Sequence, residues 1–142
     1  MSLFSKEQVL VPIDFSEETF KALSGTIEFV GEGSTVHALH VLPRLEPTDP
    51  GMVWETVNQE ARIENVEKTY KERFDRPEFS GVQFHVEIGD PSSEIIDFAK
   101  SNSINLIVIP SHGRTGLGRF FIGSVAERVV RFSHCPVLVL RQ

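Results

Sequence analysis

Two patterns of hydrophobic residues alternate along the chain: short β-branched runs, and longer stretches with apolar residues three or four positions apart. The short runs predict strands at 8–13, 34–42, 82–88, 104–110 and 136–141. The amphipathic stretches between them predict helices within 17–33, within 52–75, from Pro91 onward and within 123–134. Strict alternation of strand and helix predicts an α/β fold, a doubly wound parallel sheet with helices on both faces and right-handed crossovers.

Composition narrows the class of protein. With 142 residues, 40% hydrophobic and 24% charged, the chain is expected to form a single domain over 1–142. Its net charge of -6 argues against a non-specific binder of nucleic acid or of an anionic membrane. Cys135 is the single cysteine, so no disulfide forms within the chain. With no signal-like start and no apolar run near the roughly 20 residues of a membrane span, a cytoplasmic protein is expected.

The fold class predicts where a ligand binds. In an open parallel sheet, ligands bind beyond the carboxyl ends of the strands, where the strand order switches. Pro12, Ile13 and Asp14 end or follow the first predicted strand, and Val41 lies at the end of the second. The segment "IPSHGRTGLGRFFIGS" at 109–124 follows the fourth. These residues are therefore the candidate site.

The glycine-rich segment has the chemistry of an anion site. Its glycines allow backbone amides to approach an anion closely. Gly123 and Ser124 open a predicted helix whose positive dipole end faces the segment, and Arg114 adds charge. The alternative interpretation is a glycine-rich surface turn in which Ser124 is only the helix N-cap. The segment is neither a Walker loop nor a GxGxxG motif after the first strand.

Catalytic patterns are absent from the sequence. It has no Cys/His pair, no pair of carboxylates suited to acid–base work and no metal-ligand spacing. The histidines His37, His40, His85 and His134 are expected to be structural or solvated, and Asp90 is expected to be a turn or helix-cap residue. No catalytic residue is assigned.

Five segments, in order, carry a resemblance to a known family. They are "VLVPIDFSEETFKAL", "ALHVL", "GDPSSEIIDFA", "INLIVIPSHGRTGLG" and "IGSVAERVVRFSHCPVLVLR", and together they cover nearly the whole chain. The chain resembles the universal stress protein family. The resemblance implies a sheet order of 3-2-1-4-5, binding of an adenine nucleotide (ATP, or AMP or ADP) and a homodimer. If nucleotide is turned over, the expected reaction is slow hydrolysis without a dedicated base.

The family's ATP-binding branch carries the motif G-2x-G-9x-G-[S/T]. Its second and third glycines match Gly113 and Gly123, and its Ser/Thr matches Ser124. The first glycine falls on Pro110, which has no backbone N–H and a fixed φ. We therefore expect the affinity for nucleotide to be reduced or altered rather than abolished.

The resemblance also implies roles for individual residues. It places Asp14 near the ribose hydroxyls or a nucleotide-bound Mg²⁺ or Mn²⁺, and Val41 at the adenine edge through its backbone. The remaining implied contacts are Pro12 and Ile13 at the adenine pocket, Ser111 and His112 beside the phosphates or sugar, and the Val125 amide at the helix start.

Several functions remain open from the sequence. The first is an ATP-binding stress or regulatory module that dimerises through the apolar edge strand 136–141, with a higher oligomer and a regulatory protein partner as further options. The second is a dimeric interaction protein that binds no nucleotide, which Pro110 favours. A phosphoryl-accepting receiver domain would use Asp90, but residues 136–142 contain no Lys. An adenylate-transferring enzyme is a relative by fold, but its signature motifs are absent.

Overall fold

The computed structural model describes residues 4–44, 55–111 and 122–141. Five parallel strands form one sheet in the order β3-β2-β1-β4-β5. This confirms the predicted α/β class and the implied strand order. The strands are β1 (Gln8–Pro12), β2 (Thr35–Leu42), β3 (Gln83–Ile88), β4 (Leu106–Pro110) and β5 (Val137–Leu140).

Four α-helices connect the strands. They are α1 (Glu17–Val30), α2 (Glu55–Arg73), α3 (Pro91–Ser101) and α4 (Ser124–Phe132), and a short 3-10 turn at Pro77–Phe79, which the pattern did not predict, precedes β3. The predicted elements are therefore confirmed with slightly shorter ends, while residues 52–54 of the second predicted helix lie outside the described residues. None of the helices in the described ranges is long and apolar enough to cross a bilayer.

The helix ends follow from local chemistry. The Ser16 side chain accepts a hydrogen bond from the Thr19 amide and so caps the start of α1. Asp90 caps α3 in the same way, and Pro91 takes the first helical position, where a missing N–H costs nothing. The α1 helix ends at Gly31, whose φ of 71° suits a residue without a side chain.

Apolar side chains are buried on both faces of the sheet. Helices α1 and α2 cover one face, where Val9, Leu23 and Phe74 are buried, and α3 and α4 cover the other, where Ile107 and Val129 are buried. Strand β4, next to the central strand β1, supplies residues to both layers, which explains its nearly continuous apolar sequence.

The sheet opens between the neighbouring strands β1 and β4. The pairing of β1 with β2 continues to Pro12 and that of β4 with β5 continues to Pro110. The pairing of β1 with β4, in contrast, extends only to Leu10 and Ile107. The strands therefore part at their carboxyl ends, at the point where the strand order switches, and this opening positions the candidate site.

Candidate functional site

A cavity of about 440 Å³ lies at this opening. One wall comes from the turn between β1 and α1, and the opposite wall comes from the start of α4. Most of the predicted site residues line the cavity: Pro12, Ile13, Asp14, Val41, Pro110, Ser111, Gly123, Ser124 and Val125. The other three, His112, Gly113 and Arg114, lie outside the described residues.

The Asp14 carboxylate is held in place by the first turn of α1. Its Oδ1 accepts hydrogen bonds from the Ser16 backbone N–H at 3.0 Å and from the Thr19 hydroxyl at 3.1 Å. Thr19 also lines the cavity and is only 5% exposed. Because a buried hydroxyl and an amide both bind the same oxygen, the orientation of the carboxylate is fixed before any ligand arrives.

The backbone of the same turn is anchored by two other elements. The Ile13 carbonyl lies 2.8 Å from His40 Nδ1, and since a carbonyl only accepts, this ring nitrogen is the donor. Phe15 has a φ of 63°, which is uncommon for a residue with a side chain, and its ring packs 4.8 Å from that of His40. Arg73 of α2 donates to the Phe15 carbonyl at 3.1 Å. These contacts with β2 and α2 hold the turn in place as a wall of the cavity.

The opposite wall is the start of α4. Gly123 is the N-cap residue and Ser124 is the first helical residue, so the interpretation of Ser124 as an N-cap is wrong. The Gly123 N–H donates to the Ser111 carbonyl at 2.5 Å, and no side chain caps the helix. The amides of Ser124 and Val125 lie in the first turn of α4, and no side chain at the N-cap accepts a hydrogen bond from this turn. Together with the helix dipole, they favour an anion at this wall.

Apolar side chains also line the cavity. Ile13, Val41, Ile95 and Ile109 are among them, and we call this part of the lining the apolar slot. This slot suits a flat, weakly polar group, while the Asp14 wall suits hydrogen-bond donors or a cation and the α4 wall suits an anion. The arrangement can therefore bind a molecule that carries all three kinds of group.

Asp90 lies near the cavity but works as a helix cap. Its Oδ2 accepts from the Ser92 hydroxyl at 2.9 Å, the Ser93 amide at 3.1 Å and the Ser93 hydroxyl at 2.9 Å. The hydrogen bonds from Ser93 and Ser92 lower the pKa of Asp90. This is the capping role that the sequence predicted.

Some lining residues were not predicted. The cavity lining also includes Thr19, His40, Pro91 and Ile95. His40 lies within β2, and the other three come several residues after the end of a strand. The signal that could have found Thr19 is its place three residues after the capping Ser16. Within the described ranges, no three or more His, Cys, Asp or Glu residues gather as a metal site.

Comparison with known sequences places these features in a family. The model of the universal stress protein family matches residues 6–141. Universal stress protein MJ0531 of Methanocaldococcus jannaschii is 34% identical over 96% of this chain and 82% of its own length. Universal stress protein YxiE of Bacillus subtilis is 30% identical over 98% of this chain and 100% of its own length.

Comparison with solved structures gives the same fold. The structure of MJ0577, described as a structure-based assignment of biochemical function, has a TM-score of 0.78 and 28% identity and covers 96% of each chain. A universal stress protein from Archaeoglobus fulgidus in complex with dAMP has a TM-score of 0.59 and 22% identity over 97% of this chain and 99% of its own. A universal stress protein in complex with cAMP has a TM-score of 0.68 and 15% identity over 95% of this chain and 97% of its own.

Proposed function

The chain belongs to the universal stress protein family, and from this membership we propose that it binds an adenine nucleotide, ATP or its mono- or diphosphate, as a homodimeric regulatory module of the cytoplasmic stress response. One observation carries the proposal. The cavity has an oriented carboxylate, Asp14, on one wall and the start of α4, which no side chain caps, on the other, and the apolar slot also lines it. The complexes of relatives with dAMP and cAMP support the choice of ligand.

Each group of an adenine nucleotide has a part of this cavity that suits it. The amides at the start of α4 bind the phosphates, assisted by Ser124 and, in the glycine-rich motif, by Gly113 and Arg114. The adenine ring occupies the apolar slot beside Ile13 and Val41, and Ser111 and His112 lie beside the phosphates or sugar. Asp14 faces the ribose hydroxyls or a divalent ion.

The divalent ion is proposed to arrive with the nucleotide. The described residues contain no cluster of three or more metal-ligating side chains that would hold Mg²⁺ or Mn²⁺ without a ligand. Phosphate oxygens are good ligands of Mg²⁺, which is bound through one or two carboxylates plus phosphates in many proteins. Asp14 is the carboxylate that this chain offers at the cavity.

We also propose that the homodimer forms through β5. This strand is at the edge of the sheet, and Leu138 is 41% exposed on it. The Ser111 amide donates to the Leu140 carbonyl, so the peptide groups of Leu140 and Leu138 point toward β4. The peptide groups of Val137 and Val139 therefore point outward, and an edge with free peptide groups and an exposed apolar side chain favours pairing with a second copy.

A second function, a dimeric interaction protein that binds no nucleotide, is favoured by one observation. Pro110 occupies the position of the first motif glycine and offers no amide to a ligand. If the ligand requires that amide, the family site has been lost in this chain.

Isothermal titration of the protein with ATP and Mg²⁺ tests the two proposals. We expect a dissociation constant on the order of micromolar, and loss of binding in the Gly113→Ala/Ser124→Ala variant. Absence of binding by the parent together with binding by Pro110→Gly contradicts nucleotide binding and supports the interaction protein. Circular dichroism of each variant checks that the fold is intact.

A further inference from the structure

A second cavity, of about 430 Å³, lies at the opposite end of the sheet from the candidate site. It is bounded by the amino ends of β1, β4 and β5 and by the last turn of α1. Its volume is in the range of small-molecule sites in proteins. We call it the Phe29–Leu138 cavity, and its apolar lining residues are Phe4, Phe29, Leu106, Pro136, Val137 and Leu138.

The apolar lining is exposed where β5 has a helix on one face only. Val137 and Val139 pack into the layer of α3 and α4. Leu140 packs into the layer of α1, so Leu138, two residues before it, faces the same side. There Leu138 is 41% exposed, and Phe29 at the end of α1 is 54% exposed. Exposed apolar surface in a concave site favours a ligand with an apolar portion.

The neutral polar side chains of the lining are able to donate hydrogen bonds. The Ser5 hydroxyl oxygen accepts from the Glu7 amide at 3.4 Å, and the Asn105 side-chain oxygen accepts from the Gln8 amide at 2.9 Å. Ser5 can still donate through its hydroxyl hydrogen and Asn105 through its NH2 group. None of the described residues that line the cavity is acidic. Its polar edge therefore suits a ligand group that accepts hydrogen bonds.

Lys6 is the charged residue among the described lining residues. Its Nζ donates to the Phe29 carbonyl at 3.5 Å and lies 4.6 Å from the centre of the Phe29 ring. Within the part of the chain that the structure describes, no carboxylate forms an ion pair with this ammonium group. A cation beside exposed apolar surface is complementary to a carboxylate that carries a hydrocarbon chain.

We propose that the Phe29–Leu138 cavity binds single molecules of an amphiphilic carboxylate, such as a medium-chain fatty acid. The hydrocarbon chain lies against Phe29 and Leu138, and the carboxylate pairs with Lys6. The net charge of -6 disfavours an anionic membrane surface as the occupant. The inference does not depend on the proposed function, because the two cavities lie at opposite ends of the sheet.

Titration calorimetry with decanoate, hexanoate and decyltrimethylammonium tests the apolar and the charged part of the site. We expect decanoate to bind at least about tenfold more tightly than hexanoate, because four further methylene groups leave water. Decanoate is also expected to bind at least about threefold more tightly than decyltrimethylammonium, whose chain has the same length and whose charge is opposite. Equal binding of decanoate and decyltrimethylammonium overturns the inference.

Two pairs of variants assign the binding to this cavity. Phe29→Ser is expected to weaken decanoate binding at least about tenfold, while Phe132→Ser, at an exposed phenylalanine of α4, should match the parent. Lys6→Gln is expected to remove the preference for decanoate over decyltrimethylammonium, while Lys21→Gln, at an exposed position of α1, should keep it. Circular dichroism checks that each variant is folded. Decanoate binding that is unchanged in Phe29→Ser lies elsewhere and overturns the inference.

A second copy of the chain is the competing occupant, because Leu138 also lies on the edge strand of the proposed homodimer. The calorimetry is therefore repeated over a range of protein concentrations, with the oligomeric state at each followed by sedimentation equilibrium. Decanoate binding by the dimer, weakened by Phe29→Ser, supports the inference. A dimer that binds no decanoate overturns it and assigns the cavity to the second copy.

Discussion

His37 and His85 hydrogen-bond each other across β2 and β3, with Nδ1 of His37 3.0 Å from Nε2 of His85. His37 Nε2 lies 2.9 Å from the Gln8 side-chain oxygen, which only accepts, so this nitrogen carries a hydrogen. A neutral His37 then accepts at Nδ1 from His85. The Phe98 ring packs against both imidazoles, at centroid distances of 5.9 and 4.7 Å. The arrangement therefore requires a neutral His37.

The pair predicts that stability falls in mildly acidic solution. Burial lowers the pKa of both histidines from 6.5, and the proximity of His85 lowers that of His37 further. As the pH falls below about 7, the unfolded chain therefore binds protons that the folded protein resists, and each such proton removes up to about 1.4 kcal/mol of unfolding free energy per pH unit. Urea unfolding at intervals between pH 8 and 5 measures this loss.

Neutral replacements identify the source of the pH dependence. The His37→Gln/His85→Gln variant is expected to unfold with a shallower dependence on pH over this range, and His134→Gln, at an exposed position, should behave as the parent does. An unchanged slope in the double variant contradicts the assignment. Asp90, whose pKa is lowered from 3.8 by hydrogen bonds from Ser93 and Ser92, contributes only at lower pH.

The sequence predicted the fold well because hydrophobic periodicity reports burial directly. The apolar run at 104–110 predicted the strand β4, and Pro91 predicted the start of a helix. The pairing of His37 with His85 was not predictable, since the two residues are 48 positions apart and meet only through the register of β2 and β3. Register depends on packing of the whole sheet rather than on local pattern.

The candidate site was predicted in part for a related reason. Residues directly after strands are found by the rule for parallel sheets, which brought Asp14 and Ser111 to one cavity. Thr19 was missed because it enters the cavity from the first turn of a helix. The engagement of the Gly123 amide by Ser111 was equally hidden, because it joins the two ends of a long segment.

Thr19 is predicted to position Asp14 for the ligand. Thr19→Val removes the hydroxyl that bonds Asp14 Oδ1 at 3.1 Å, and a hydrogen bond to a charged group contributes about 1.5 kcal/mol or more. The dissociation constant for ATP is therefore expected to rise about tenfold, while Thr19→Ser binds as the parent does. Thr26→Val, which removes a buried hydroxyl bonded to Ala22 on the same helix, is the control. Parent-like binding by Thr19→Val contradicts the role.

The Ser124 amide is predicted to contribute more to phosphate binding than the Ser124 hydroxyl. Proline is well tolerated at the first helical position, and Gly123 before it has an extended backbone with ψ of 157°. Ser124→Pro therefore removes the amide donor while keeping α4, whereas Ser124→Ala removes only the hydroxyl. Titration with ATP is expected to give a loss of about tenfold for proline and at most about threefold for alanine. Equal losses would assign the contribution to the hydroxyl.

Leu138 is predicted to be central to the proposed homodimer. It is 41% exposed on the edge strand β5, where two copies would bury it, and an ammonium group buried there without a partner is costly. Sedimentation equilibrium is expected to find a dimer for the parent and a monomer for Leu138→Lys. Gln83→Lys places the same charge at an exposed position on β3, the opposite edge, and should remain dimeric. If Gln83→Lys were monomeric and Leu138→Lys dimeric, the two copies would pair through β3 instead of β5. In a two-fold dimer the same edge of each copy forms the interface, so the added charge breaks the dimer only when it lies on that edge.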